Sequence, residues 1–298
     1  MNPTISIVIP LYNHKKYIAS TIYSVLCQTY PAAEIIVIDD GSSDDGVRQV
    51  ELLAEARPEI IVWKQSNRGA HNTINSGIGR ATSDVICILN SDDLYHPERL
   101  DAVASAFRND GDLAAVFTAM DFVDGQGSPT EFPWYEQALA FYRETGLWGA
   151  SLVNGNFLVT TSNLAARRTV FEDIGLFGDY RYAHDLDFFL RMSRSDQKVR
   201  FMDQRLMSYR IHDTNTISEG HDRVKVEWAY ITALHLFRLC QGRSEAIVEY
   251  AEILDRHGLL KAVLTTWAFM IGAPDTATDF RAFRRNQDQY GALVEALS

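Results

Sequence analysis

Glu34-Ile35-Ile36-Val37-Ile38-Asp39-Asp40-Gly41-Ser42 reads as a strand that runs directly into a polar turn. Four consecutive aliphatic residues leave no polar alternation, so both faces of the strand are expected to be covered. Two carboxylates and a glycine then break the run and lead into a helix. The same order recurs on either side. Ile5-Ser6-Ile7-Val8-Ile9 runs into Pro10-Leu11-Tyr12-Asn13, and Val85-Ile86-Cys87-Ile88-Leu89 runs into Asn90-Ser91-Asp92-Asp93. Ile60 to Trp63 is a further strand, and Tyr17 to Gln28, Val47 to Ala56 and Asn72 to Ala81 read as the intervening helices. Alternating strands and helices predict an α/β fold with a mostly parallel central sheet flanked by helices. Ligands bind beyond the carboxyl ends of the strands in such sheets, where the three polar clusters fall.

Further along, the pattern predicts a helix over Pro97 to Asn109, a strand over Ala114 to Thr118 and a loop from Gly125 to Pro133. Gly146 to Asn156 is ambiguous, and Phe157 to Thr161 is strand-like. A short helix over Val170 to Ile174, an apolar helix over Leu186 to Ser193 and a last strand over Phe201 to Tyr209 follow. From about Asp222 the pattern is all helical, with three or four helices. This places a boundary at Glu219-Gly220, separating residues 1–219 from a helical extension at 220–298.

The chain has 298 residues, 46% of them hydrophobic and 22% charged, which is a globular composition. Its net charge of −11 argues against a nucleic-acid partner, which requires a basic face. Cys27, Cys87 and Cys240 are far apart and lack metal or disulfide spacing. No signal-peptide pattern follows Met1, and the longest apolar stretch, Leu259 to Ala273, is too short for a membrane span. A reducing, cytoplasmic setting is the resulting expectation.

Read singly, the polar clusters have ordinary explanations beside chemical ones. Asp92-Asp93 suits Mn²⁺ or Mg²⁺ together with phosphate oxygens, or caps a helix. Asp40 suits a nucleobase or ribose contact, or a tight turn. In Asn67-Arg68-Gly69-Ala70-His71-Asn72, Arg68 suits phosphate and Gly69 permits close backbone approach. Asp185 and Asp187 in His184-Asp185-Leu186-Asp187 suit either a helix cap or a general base. His212, after a strand end, suits a metal or pyrophosphate, or simply the surface.

The ordered set resembles family 2 glycosyltransferases. The carriers are Ser6 to Asn13, Ser24 to Tyr30, Glu34 to Ser42, Asn67-Arg68-Gly69, Asn75, Gly77, Leu89 to Asp93, Val170 to Phe177 and His184 to Arg191. The resemblance spans roughly residues 4 to 215. It implies a GT-A fold, with a nucleotide-binding half at about 1–95 and an acceptor half at about 96–219. It further implies inverting sugar transfer from a nucleotide-sugar donor, with a UDP-sugar as the default, to a hydroxyl of a glycan or lipid-linked glycan. By the same resemblance, Pro10, Tyr12, Asp40 and Asp92 hold the donor; Leu11, Asn13, Arg68, Gly69, Asn72 and Ser91, on the same loops, complete the candidate donor site. The resemblance makes Asp93 the metal ligand, to which the strand-end position adds His212 as a candidate, and Asp185 the base, with Asp187 as its alternative. Asn90 and His184 depart from the aspartate and glutamate common in the family.

Two other readings compete. A nucleotidyltransferase would need a glycine-rich basic loop after the first strand, and Pro10 to Lys16 has no glycine. A donor-binding scaffold without turnover would be favoured by Asn90 and His184. The apolar helical segments Trp228 to Leu239, Ala246 to Leu254 and Leu259 to Ile271 read as packing elements. Trp267 to Ile271 also suits a homodimer contact or a peripheral membrane surface.

Overall fold

The computed structural model describes residues 2–215, 221–240 and 246–297. The chain divides into two compact units. One comprises Met1–Phe132, Leu158–Phe177 and Asp196–His212; the other comprises Pro133–Phe157, Gly178–Ser195 and Asp213–Ser298. The expected boundary at Glu219-Gly220 lies outside the described residues.

The first unit carries the sheet. Its elements are β1 (Ile5–Leu11), α1 (Ile18–Leu26), β2 (Glu34–Asp39), α2 (Gly46–Ala54), β3 (Ile60–Lys64), α3 (Ala70–Ile78), β4 (Val85–Ile88), β5 (Leu94–Tyr95), α4 (Arg99–Asn109) and β6 (Leu113–Val123). The eight strands are ordered β3-β2-β1-β4-β7-β6-β8-β5, where β7 is Ala165–Arg167 and β8 is Lys198–Arg210. β3, β2, β1 and β4 are mutually parallel, which the aliphatic runs predict. β7 is antiparallel to β4 and to β6, so the sheet as a whole is mixed. The strand order reverses between β1 and β4, the kind of switch point beyond whose carboxyl ends α/β sheets bind ligands.

β1 and β4 are covered on both faces, and α3 packs tightly on β1. A Cβ on Gly77 would fall inside contact distance of the buried Val8 side chain. Gly77→Ala is therefore expected to destabilise the fold by about 1–3 kcal/mol through overpacking, despite alanine's better helix propensity. Urea unfolding checks this; an unchanged midpoint would mean that β1 and α3 can separate freely. β3 is one of the two edge strands, with Ile61 and Trp63 exposed and the Arg80 guanidinium 4.7 Å from the Trp63 ring centroid.

Phe157 to Thr161 forms no strand. Val159 adopts φ 64°, a strained conformation for a β-branched residue, and Thr161–Asn163 is a 3₁₀ turn. Polar side chains explain the difference. The Asn163 amide accepts from Thr118 N–H and donates to Thr118 C=O, each at 2.9 Å, replacing a strand pairing with β6. The fully buried Arg99 supports the same turn. It donates to Asn163 C=O at 2.8 Å and to Thr118 Oγ1, and lies over the Tyr95 ring.

After α7 (Arg168–Asp173) in the first unit, the remaining described helices belong to the second. Preceding α7 in the chain, though numbered with the second unit, are α5 (Pro133–Thr145) and α6 (Trp148–Asn154), the latter resolving the ambiguous Gly146 to Asn156 stretch. α8 is His184–Ser193. The extension holds α9 (His221–Cys240), α10 (Ala246–Arg256), α11 (Leu260–Gly272), α12 (Pro274–Ala277), α13 (Phe280–Arg285) and α14 (Gln287–Leu297). That is more than the three or four expected, because Pro274–Ala277, Phe280–Arg285 and Gln287–Leu297 are also helical. Among the described residues, no helix is long and apolar enough to cross a membrane.

Candidate active site

The rim of the first unit is built from the loops after β1, β2 and β4. Asn13, at φ 54°, ties the first two together. Its N–H donates to Ser42 Oγ at 3.0 Å, and its side-chain oxygen accepts from Ser43 N–H at 2.8 Å. Asp40 N–H donates to Leu11 C=O at 2.8 Å. The Asp40 carboxylate accepts from Gln65 Nε2 at 2.8 Å and from the backbone N–H groups of Arg68 and Gly69 at 2.9 Å. It thus braces the loop that carries Arg68, with Gly69 supplying φ 84°. The Asn72 side chain donates to Arg68 C=O at 2.9 Å and steadies the same loop. Leu11 is buried, Pro10 is half-buried and the Tyr12 ring is 49% exposed. Tyr12 therefore offers a flat apolar surface beside these polar groups.

The loop after β4 separates its two carboxylates. Asp93 is 1% exposed and has both oxygens engaged: Ser162 Oγ–H donates to Oδ2 at 2.6 Å and Arg210 N–H to Oδ1 at 2.9 Å. Burial, and then the Asp92 charge, hold its carboxyl well above the usual carboxylate range. Asp92 instead faces two imidazoles. His212 Nε2 lies 3.0 Å and His14 Nε2 3.9 Å from its Oδ2. Burial pushes the Asp92 carboxyl up, but the His212 hydrogen bond and the two imidazoles outweigh it, and the net direction is down. A ligand atom from each of His14, Asp92 and His212 lies within 4.8 Å of the others.

Several neighbours hold this arrangement. Ser91 Oγ sits 2.8 Å from His14 Nδ1. The Tyr17 ring packs on His212 at 4.7 Å between centroids. Arg210 Nε donates to Asp92 C=O at 2.7 Å. Asn90 uses both ends of its amide, donating to Thr160 Oγ1 at 2.9 Å and accepting from Thr161 Oγ1 at 3.1 Å. A carboxylate there could not donate to Thr160, which gives the departure from aspartate a local reason. Sequence reasoning did not single out His14. Its one signal is its position directly after Asn13 on the same rim.

Asp185 belongs to the second unit, in the first turn of α8. Its Oδ1 accepts from Leu186 N–H at 2.7 Å and its Oδ2 from Asn156 Nδ2 at 3.2 Å. Part of the residue reaches solvent, yet protein encloses the carboxyl, and this burial pushes it up to about 7. Asp187 differs, because its Oδ2 is ion-paired with Arg191 Nη2 at 2.9 Å. The N-terminus of α8 is held from α9. Buried Glu227 accepts from the backbone N–H groups of Arg181, Tyr182 and Ala183 at 2.8–3.0 Å. Glu227→Gln places an amide N–H₂ against these donors and is expected to lower stability by about 1–3 kcal/mol. Denaturant unfolding followed by circular dichroism reads the change, and an unaltered midpoint would show that Glu227 does not anchor α8.

The model of the family described as "Glycosyl transferase family 2" matches residues 6–175, more than half of the chain. The chain belongs to glycosyltransferase family 2. This glycosyltransferase is 30% identical over 219 residues to an uncharacterized glycosyltransferase of Nostoc, an alignment covering 71% of this chain and 66% of that protein. It is 33% identical over 126 residues to the chondroitin synthase of Escherichia coli, covering 42% of this chain and 18% of the synthase. Its fold is similar to that of Staphylococcus aureus TarS, residues 1–349, solved with UDP-GlcNAc. That likeness has a TM-score of 0.68 at 16% identity and covers 99% of this chain and 90% of the other. It is also similar to the mannosyltransferase PcManGT of Pyrobaculum calidifontis, solved with GDP-Man and Mn²⁺. There the TM-score is 0.59 at 17% identity, over 99% and 86% of the two chains. The family and the GT-A-type fold implied by the ordered motifs are thereby established.

Proposed function

We propose that this enzyme transfers a sugar, with inversion, from a UDP-sugar to a hydroxyl of a growing glycan or lipid-linked glycan. The observation that carries the reading is the pairing of Asp92 with His212 beyond the carboxyl end of β4, next to the switch point between β1 and β4. The Asp92 carboxylate, with His212 beside it, could hold Mn²⁺ or Mg²⁺, which when bound neutralises the pyrophosphate as it leaves. The net charge of −11 favours a bound cation over a generally basic surface for this task. TarS with UDP-GlcNAc and the chondroitin synthase relative support the donor class and a role in polysaccharide biosynthesis. The unpaired thiols of Cys27 and Cys87 support a cytoplasmic setting.

In this reading the Pro10 to Asn13 segment and the loop braced by Asp40 hold the nucleotide. Tyr12 offers its ring to the base, Ser91 lies beside the ribose, and Arg68 meets the phosphates. Asp185 takes the proton from the acceptor hydroxyl as that oxygen displaces UDP from the anomeric carbon. On α11 the exposed Leu264, Ala268 and Ile271 recur at helical spacing. Ala268 and Ile271 belong to the Trp267 to Ile271 stretch proposed for a homodimer or peripheral membrane contact, of which Met270 is buried.

A thermal-shift series across nucleotides with Mn²⁺ tests the donor assignment. Ligand at about 100 times its Kd stabilises the folded state by about 2.7 kcal/mol, so UDP is expected to raise the unfolding midpoint by several degrees and GDP not. A shift with GDP alone would overturn the uridine assignment and leave the transferase reading standing.

A further inference from the structure

We propose that His14 is a third protein ligand, completing a site of two imidazoles and one carboxylate that selects transition-metal dications over Mg²⁺. The inference rests on the metal-assisted reading above and narrows its cofactor. Metal–ligand bonds of about 2.1 Å place adjacent ligand atoms about 3.0 Å apart and opposite ones about 4.2 Å apart. The 3.0 Å from His212 Nε2 to Asp92 Oδ2 already matches an adjacent pair. The 3.9 Å from His14 Nε2 to the same oxygen needs a shift of less than an ångström.

Orientation supports the geometry. Metal-binding histidines characteristically donate their other ring N–H to a fixed acceptor, which sets the tautomer. Ser91 Oγ lies 2.8 Å from His14 Nδ1, and Ser91 is itself 2% exposed. With Nδ1–H donated there, Nε2 presents its lone pair on the side facing Asp92. The His14 and His212 rings pack edge-to-face at 5.7 Å, and Tyr17 borders both, which restrains the two imidazoles together. Asp93 is held back from the group by Ser162 and Arg210. Imidazole suits Fe²⁺, Co²⁺ and Zn²⁺ best; Mn²⁺ also takes oxygen ligands but accepts nitrogen more readily than Mg²⁺, which keeps an oxygen shell. Three protein ligands leave positions for phosphate oxygens and water.

The test is Mn²⁺ titration of the purified protein, with and without UDP, followed by electron paramagnetic resonance, with Mg²⁺ as competitor. In the wild type, Mn²⁺ is expected to bind at least about 10-fold more tightly than Mg²⁺, and pulsed measurements are expected to resolve coupling to two imidazole nitrogens. His14→Gln is expected to weaken Mn²⁺ by about 10-fold or more, to narrow the Mn²⁺/Mg²⁺ ratio and to leave one nitrogen coupling. Unchanged Mn²⁺ affinity in a folded His14→Gln protein, or one nitrogen in the wild type, overturns the role of His14 alone. No Mn²⁺ binding by the wild type, even with UDP, overturns both this inference and the metal-assisted reading. If His14→Gln does not fold, the wild-type nitrogen count and Mg²⁺ competition decide.

Discussion

Asp185→Asn is expected to lower kcat by about 10²–10⁴-fold while leaving UDP affinity in Mn²⁺ within about twofold. The substitution keeps the shape of the side chain and removes its ability to accept a proton. Of the two carboxylates in the first turn of α8, Asp187 is neutralised by Arg191, whereas Asp185 has an amide and a backbone N–H as its partners. Burial pushes the Asp185 carboxyl up to about 7, where a base is strong enough to draw a hydroxyl proton and still ionised in useful amount. The wild-type rate should therefore rise with pH through about 6–8 and level above it. Stability moves the opposite way. The folded state holds this proton to about 7, whereas the unfolded chain releases it near ~3.9. Folding thus loses stability as pH rises between those values. Asp185→Asn removes that loss, so its unfolding midpoint should exceed the wild type at pH 8, with the gap closing toward pH 4. Near-normal turnover would remove Asp185 from the chemistry and direct attention to Asp187→Asn.

The half of the fold that carries the rim was legible because its strands are uninterrupted aliphatic runs that only a doubly covered sheet accommodates. β5 and β7 are two and three residues long and contain too little sequence to show a period. Their positions are set by partners distant in the chain, such as β8 and β6. The stretch Phe157 to Thr161 looked extended by composition, but Thr160, Ser162 and Asn163 satisfy backbone and side-chain groups of neighbouring segments and turn it instead. α5 buries only Tyr135, Ala138 and Leu139, too narrow a stripe to mark a helix among its polar residues. At the site, strand ends identified the loops but not the direction of each side chain. Adjacent Asp92 and Asp93 are told apart in sequence by the family resemblance alone, which gives the metal to Asp93; their surroundings depend on Ser162, Arg210 and His212, which lie 69, 117 and 120 residues away and leave Asp92, not Asp93, facing an imidazole.

That division gives a paired result with a large contrast. Asp92→Ala is expected to weaken Mn²⁺-dependent UDP binding by at least about 100-fold, because it removes the only carboxylate in the group with His14 and His212. The fold should tolerate the change, since Arg210 grips the Asp92 carbonyl, which alanine retains. Asp93→Ala is expected to act mainly on stability. It leaves the Ser162 hydroxyl and the Arg210 N–H without their buried acceptor, at about 1–3 kcal/mol for each. Titration calorimetry with Mn²⁺ and UDP, run beside urea unfolding of both variants, separates the two roles. A folded Asp93→Ala protein that has lost Mn²⁺, beside an Asp92→Ala protein that keeps it, would make Asp93 the ligand. The physical difference between the two lies in what each carboxylate already has. Asp93 has one hydrogen-bond donor on each oxygen and is sealed from solvent, so recruiting it to a cation would require breaking bonds that hold β4, β8 and the 161–163 turn together. Asp92 need only exchange its hydrogen bond with His212 for a cation shared with it.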